Sequence, residues 1–203
     1  MEKQSLTNYI HIMKVKSPVY RYILLVFLLV GCTNPFATRT PDPPDSGDNL
    51  VTSQSDPEQL IAKIRSAFEV QLASTYDQCF DSLFTFLGAG TDASELSNWD
   101  RMREIAYFEQ LVQDEQVQTA ELSIPDATDP VFVPITQDEE EVRFGYEIRL
   151  ELRSGQRLER YQGRVILRVV KSSQENWFVR SWQDLEIEAG NDSTWSTLRA
   201  KYR

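Results

Sequence analysis

The chain has 203 residues, 41% of them hydrophobic and 11% aromatic, enough apolar material for the core of one domain with a tail. It holds 21 Lys and Arg against 31 Asp and Glu, a net charge of −10. Beyond residue 31 the balance is 17 basic against 30 acidic residues, or −13, which argues against nucleic acid as a partner because duplex affinity comes mainly from cations that neutralise phosphates.

At the amino terminus, Lys14, Lys16 and Arg21 precede an apolar run over residues 22–30. That run has the length of a secretory signal core and is too short to span a bilayer as a helix. Leu29-Val30-Gly31-Cys32 follows, and the whole ordered set resembles the signal and lipobox of bacterial lipoproteins. The resemblance implies diacylglycerol on the Cys32 sulfur, cleavage between Gly31 and Cys32, and acylation of the new amino terminus, palmitate being the usual acyl group. Several acyl chains anchor stably where one would not. Thr33 follows in place of the Asp that favours inner-membrane retention, so the implied location is the outer membrane, facing the periplasm. Met13-Lys14-Val15-Lys16 is a usual signal-peptide opening and marks Met13 as the expected start. The expected organisation is a signal peptide over 1–31, a lipidated Cys with a linker over 32–55, and a folded domain over 56–203.

The linker carries Pro35, Pro41, Pro43 and Pro44 among many Ser, Thr, Asp and Asn residues. Polyproline II is expected around Asp42–Asp45 and flexible chain elsewhere, so it reads as a tether.

Cysteine and histidine usage removes much chemistry. With Cys32 lipidated, Cys79 has no partner for an internal disulfide. The one histidine, His11, precedes the cleavage site, so the mature chain has no His-based triad and no His-ligated metal. No nucleotide-loop, nucleophile-elbow or EF-hand pattern occurs. No cofactor and no metal are expected. In the acidic run Asp138–Glu141, neighbouring carboxylates of a strand point to opposite faces and cannot converge on a cation.

The folded part reads as three helices and then a sheet. Asp56 is an N-cap, Pro57 suits the first helical position, and Glu58 sits at the positive end of the dipole. Leu60, Ile61, Ile64, Phe68 and Leu72 follow at helical spacing. A second helix is expected from Ser74 or Thr75, with Tyr76, Phe80, Leu83 and Phe84 on one face and Gly88-Ala89-Gly90 ending it; Cys79 would be a small buried hydrophobe there. Ser97 is the expected cap of a third helix, with Met102, Ile105, Phe108 (or Tyr107), Leu111 and Val112 inward. The period then changes to two. Val117–Ile124 is a plausible strand, and Pro125, Pro130 and Pro134 punctuate a loop ending at Glu141. Even residues from Val142 to Leu152 are apolar and alternate with Arg and Glu, the mark of a strand with one wet face. Ser154-Gly155 turns it. Tyr161, Gly163, Val165, Leu167 and Val169 face inward on the return strand, and a last strand covers Trp177–Ile187. A short amphipathic tail, Ser193–Tyr202, follows. The expected core joins Ile64, Phe68, Phe80, Phe84 and Phe108 to the even residues of 142–152.

The hairpin register can be argued from charge. A two-residue loop would put Arg149 opposite Arg160. A four-residue loop, 154–157, puts Glu151 opposite Arg160 and Glu147 opposite Arg164, and is the expected register.

Helices followed by a long antiparallel sheet give an α+β class. This order, with the closing strand Asn176-Trp177-Phe178-Val179-Arg180-Ser181-Trp182-Gln183-Asp184, resembles the NTF2-like, or SnoaL-like, superfamily. The resemblance implies a cone of helices packed into a curved sheet; a cystatin-like domain is the alternative. The segment Thr194–Arg203 also resembles uncharacterised lipoproteins of this layout. Charge is uneven: 4 basic and 19 acidic residues over 56–141, against 12 basic and 8 acidic over 142–203.

Two functions follow from this reading. One is a non-catalytic module, held to a membrane by its lipid, that binds an envelope protein or a small apolar ligand. The other is a small enzyme using carboxylate and Tyr chemistry in an apolar cone, as the resemblance to ketosteroid isomerase implies. Its candidate residues are Tyr146, Tyr161, Asp77 and Asp81. An inward Tyr on a strand is more often plain core, and Asp77 and Asp81, four apart on a helix, more often mark a wet face.

Overall fold

The structure, a computed structural model, describes residues 50–125, 128–153, 158–187 and 193–203. They belong to a compact unit, Ser46–Arg203. The expected signal peptide, Gly31, Cys32, the linker up to residue 49 and the turn at Ser154-Gly155 lie outside the described residues.

Helix α1, Pro57–Glu69, begins as its sequence dictates. The Asp56 carboxylate accepts a hydrogen bond from Gln59 N at 2.8 Å, and Leu60, Ile64 and Phe68 are buried. Just ahead of it, Gln54 is clamped to residue 177: Trp177 N donates to the Gln54 carbonyl at 2.8 Å and Gln54 Nε2 donates back to the Trp177 carbonyl at 3.0 Å. The chain therefore enters the domain alongside its last strand.

The second expected helix is corrected. Helix α2 is one turn, Ala73–Asp77, and Phe80–Leu87 is strand β1. The helical-looking spacing of Phe80 and Phe84 comes from a bulge: between Phe80 and Thr85 β1 advances five residues while its partner advances two. Phe84 and Phe86 then alternate inward, and Leu83 is 66% exposed. Cys79 is buried at the entry to β1 rather than on a helix.

The third helix is also shifted. Strand β2, Trp99–Asp100, pairs with β1, and helix α3 follows over Arg101–Gln113. Its cap is Asp100, which accepts from Arg103 N at 3.0 Å, and not Ser97. Asn98 takes a left-handed conformation at φ 56°, so the chain turns between Ser97 and the helix. Met102 is 80% exposed and lies outside the core.

Strand β3 covers Val117–Ser123. The expected loop before residue 142 contains a further strand, β4, Val131–Thr136, paired with the start of β5, Glu139–Leu152. Pro134 is tolerated because β4 pairs on one side only, with β5. Strand β6 covers Leu158–Lys171 and β7 covers Trp177–Leu185. Helix α4, Trp195–Lys201, opens with a capping box between Thr194 and Thr197. Among the described residues the sheet has seven strands in the order β2-β1-β7-β6-β5-β3, with β4 beside β5. Only β1 and β7 are parallel, so the first strand and the last are neighbours.

The hairpin register differs from the expected one. Arg149 stands opposite Arg160, Glu147 opposite Gln162, and Gly145 opposite Arg164. Around Arg149 and Arg143 charge is balanced along the strand, while Arg168 of β6 pairs with Glu139 of β5 at 3.2 Å across it. Arg149 pairs with Glu147 and Arg143 with Glu141, residues two apart on the same face. Even residues 142–150 are buried and meet Ile64, Phe68, Phe80, Phe84 and Phe108 in one core, as expected.

Candidate functional site: the interior of the cone

The inner face of the sheet and helices α1 and α3 enclose one buried interior. In this chain α4 fills it. Trp195 and Leu198 are fully buried, and so is Arg199. The Trp195 ring meets Trp182, Tyr146 and Phe68 edge to face, with centroids at 4.4, 5.0 and 5.5 Å. Three clefts on the described residues are lined by other side chains, among them Arg65 and Glu121, Trp99 and Arg103, and Arg143 and Arg164.

Two buried polar groups hold α4 in place. The first centres on Glu104 of α3. Arg199 donates to it through two nitrogens, Nε at 2.8 Å and Nη2 at 2.7 Å. Tyr76 and Trp99 donate to the same carboxylate at 2.6 and 2.8 Å. The guanidinium also lies 4.0 Å from the Phe86 ring centroid and 4.8 Å from that of Trp182, both cation–π contacts. Burial disfavours the charged guanidinium, but Glu104 outweighs it and holds Arg199 above its ordinary pKa. Burial and the nearby Glu104 charge raise Tyr76. Tyr107 is raised as well, chiefly by burial, and accepts a hydrogen bond from Trp195 Nε1 at 2.9 Å.

The second group centres on Asp184 of β7. Tyr146 O–H donates to Oδ1 at 2.8 Å, and Ser196 donates to Oδ2 through N at 2.7 Å and Oγ at 2.6 Å. Trp195 N donates to Tyr146 Oη at 2.6 Å. Burial raises the Asp184 pKa against the pull of the Ser196 and Tyr146 hydrogen bonds. Burial, together with the Asp184 charge, also raises Tyr146.

Of the four residues singled out in the sequence, one belongs here. Tyr146 is 2% exposed and sits at the floor. Tyr161 is buried, but its hydroxyl donates to Glu159 at 2.8 Å, away from Asp184. Asp77 pairs with Arg101 and is half exposed, and Asp81 pairs with Arg180 at 2.8 Å while accepting from Leu83 N at 2.8 Å. Neither carboxylate enters the interior.

The sequence reading missed Asp184, Glu104 and Arg199, yet each left a signal. Glu104 shares the 104, 107, 108, 111 stripe with Tyr107, Phe108 and Leu111, so it is a carboxylate on a buried helical face. Asp184 lies two residues after Trp182 and shares its inward face. Arg199 follows Trp195 by one helical turn. Among the described residues no three His, Cys, Asp or Glu side chains are grouped to hold a metal ion.

No protein-family model matches the sequence, and no curated protein matches it. Solved structures do match. A protein of unknown function from Mycobacterium tuberculosis superposes with a TM-score of 0.52 at 11% identity, over 93% of this chain and 91% of that one. A conserved protein from Planctomyces limnophilus gives 0.52 at 17% identity, over 62% of this chain and 89% of that one. A protein from Novosphingobium aromaticivorans, provisionally assigned as a scytalone dehydratase, gives 0.52 at 11% identity, over 63% of this chain and 78% of that one. At such identities the likeness is one of fold. The fold is NTF2-like, α+β with a curved, unclosed sheet, as expected.

Proposed function

We propose that this chain is a lipid-anchored module of a bacterial cell envelope whose domain binds a partner and catalyses no reaction. The observation that carries the reading is the filled interior: Trp182, Trp195 and Arg199 are buried at its centre and pack against one another. A small apolar ligand needs an empty cavity, so the filled cone favours an envelope protein as the partner. The anchor rests on the ordered basic stretch, apolar run and Leu29-Val30-Gly31-Cys32. The linker after Cys32 reaches at most roughly 75 Å at about 3.3 Å per residue, ample to hold the domain clear of a bilayer. Thr33 favours the outer membrane facing the periplasm. Metabolic labelling with an alkyne fatty acid tests the anchor. The wild-type chain should be labelled and sediment with membranes, and Cys32→Ser should lose both properties. Unchanged labelling of Cys32→Ser would sink the proposal.

One observation favours the enzymatic reading: a buried carboxylate and a phenol do meet, Asp184 and Tyr146 at 2.8 Å. Addition of 2-naphthol to the Cys32→Ser chain separates the two. Saturable binding lost in Tyr146→Phe supports an enzyme-like cavity; absence of binding supports the module.

A further inference from the structure

Six hydrogen bonds from α4 into the interior run in one direction, while one shallower bond runs the other way, Ala89 N donating to Ser196 Oγ at 2.8 Å. Trp195 donates from N to Tyr146 and from Nε1 to Tyr107. Ser196 donates from N and Oγ to Asp184. Arg199 donates from Nε and Nη2 to Glu104. In these six fully buried bonds the cone accepts and the helix donates. The cone side carries two buried acidic residues, Glu104 and Asp184, and the helix brings one cation. Core packing alone does not call for this polarity, since a buried ion pair is often no more stabilising than apolar side chains of similar volume. Its best-attested use is specificity of pairing. The rings complete a selective site: Phe86 and Trp182 contact the guanidinium, while Trp182, Tyr146 and Phe68 surround the indole.

We infer that the cone is a socket for a helical segment bearing Trp and Arg four residues apart, and that in this chain its own residues 195–202 occupy that socket. The inference rests on the reading of the domain as a binding module and names its partner class and its regulation. A partner segment with the same anchors competes with α4. Arginine is preferred to lysine because two of its nitrogens meet the two Glu104 oxygens and its flat face stacks on the rings. A neutral helix is rejected because it leaves Glu104 buried without a counter-charge.

The test uses the Cys32→Ser chain with a protease site inserted between residues 188 and 192. It is cleaved in the folded state and mixed with a fluorescent peptide of residues 193–203. The peptide should exchange into the cleaved protein faster than global unfolding measured by hydrogen exchange. Peptides with Arg199→Ala or Trp195→Ala should compete at least tenfold more weakly, and Arg199→Lys should fall between them. If cleavage unfolds the protein, excess wild-type peptide should restore its circular dichroism and the Arg199→Ala peptide should not. Exchange no faster than unfolding, equal competition by the alanine peptides, or failure to restore the fold overturns the socket. None of those results touches the lipid anchor, which acyl labelling tests separately.

Discussion

The Tyr146 ring lies across Gly163, its direct partner on the neighbouring strand. A Cβ at Gly163 would come within 2.7 Å of Tyr146 Cζ. The missing side chain lets the phenol lie flat enough to reach Asp184 and accept from Trp195 N. Gly163→Ala is therefore expected to displace the ring and destabilise the domain by about 1–3 kcal/mol, the range for overpacked cores. Urea denaturation measures this, and an unchanged midpoint would show that the ring has room to move.

Breaking the Glu104–Arg199 pair from one side should cost more than replacing both partners. Glu104→Gln leaves a buried guanidinium unpaired and is expected to cost about 3–5 kcal/mol. Arg199→Met leaves the carboxylate and should cost a similar amount. The double variant Glu104→Gln/Arg199→Met should cost clearly less than the sum of those two single variants. Simple additivity in a double-mutant cycle would mean the two charges do not depend on each other.

Asp184 makes stability depend on pH in an unusual direction. Its folded pKa is raised above the ordinary 3.8, so the native state holds the proton more tightly than the unfolded chain. Its contribution is fully present below 3.8 and is lost as pH rises through the folded value. The stability of the wild type relative to Asp184→Asn should thus fall as pH is raised from about 3 towards 7. Parallel stability curves over that window would contradict the assignment.

Burial pushes the Cys79 thiol up to about 12. Iodoacetamide at pH 8 should leave Cys79 of the folded Cys32→Ser chain unmodified and alkylate it once denaturant is added, because the thiolate is the reactive form. Mass spectrometry reads the adduct, and rapid modification of the native chain would place Cys79 in reach of solvent.

The register of the β5–β6 hairpin predicts one stabilising change. Arg160→Glu would face Arg149 with an opposite charge and is expected to add about 0.2–1 kcal/mol. The gain should shrink in high salt. A loss of stability at low salt would mean that Glu147 already neutralises Arg149 fully.

The parts of this fold legible in the sequence are those set by local rules. Asp56, Pro57 and Glu58 define the start of α1 without help from the rest of the chain, and strict alternation defines the inner face of β5. The parts not legible depend on distant partners. Phe80 and Phe84 look helical because a bulge against β7 mimics helical spacing. Ser97 and Asp100 are both good caps, and the pairing of Trp99 with Phe86 decides between them. Charge pairing across the hairpin gives the wrong register because Arg149 and Arg143 find their acids along their own strand. At the site, Tyr146 follows from parity alone. The importance of Asp184 and Glu104 becomes clear only when α4 is seen inside the cone.

The parallel pairing of β1 with β7 bears on how the chain is made. Strand β1 keeps its long open edge until β7 is available, nearly a hundred residues of synthesis later, and Glu104 waits 95 residues for Arg199. Local hairpins such as β5–β6 can form early, but the sheet cannot be joined across its middle, nor its central carboxylate neutralised, from an incomplete chain. Such non-local closure gives slow folding, because the pairing of β1 with β7 closes a long loop before its contacts repay the cost. A ribosome stalled ahead of α4 would release a product with an unneutralised acid at its centre, a ready substrate for quality-control proteases.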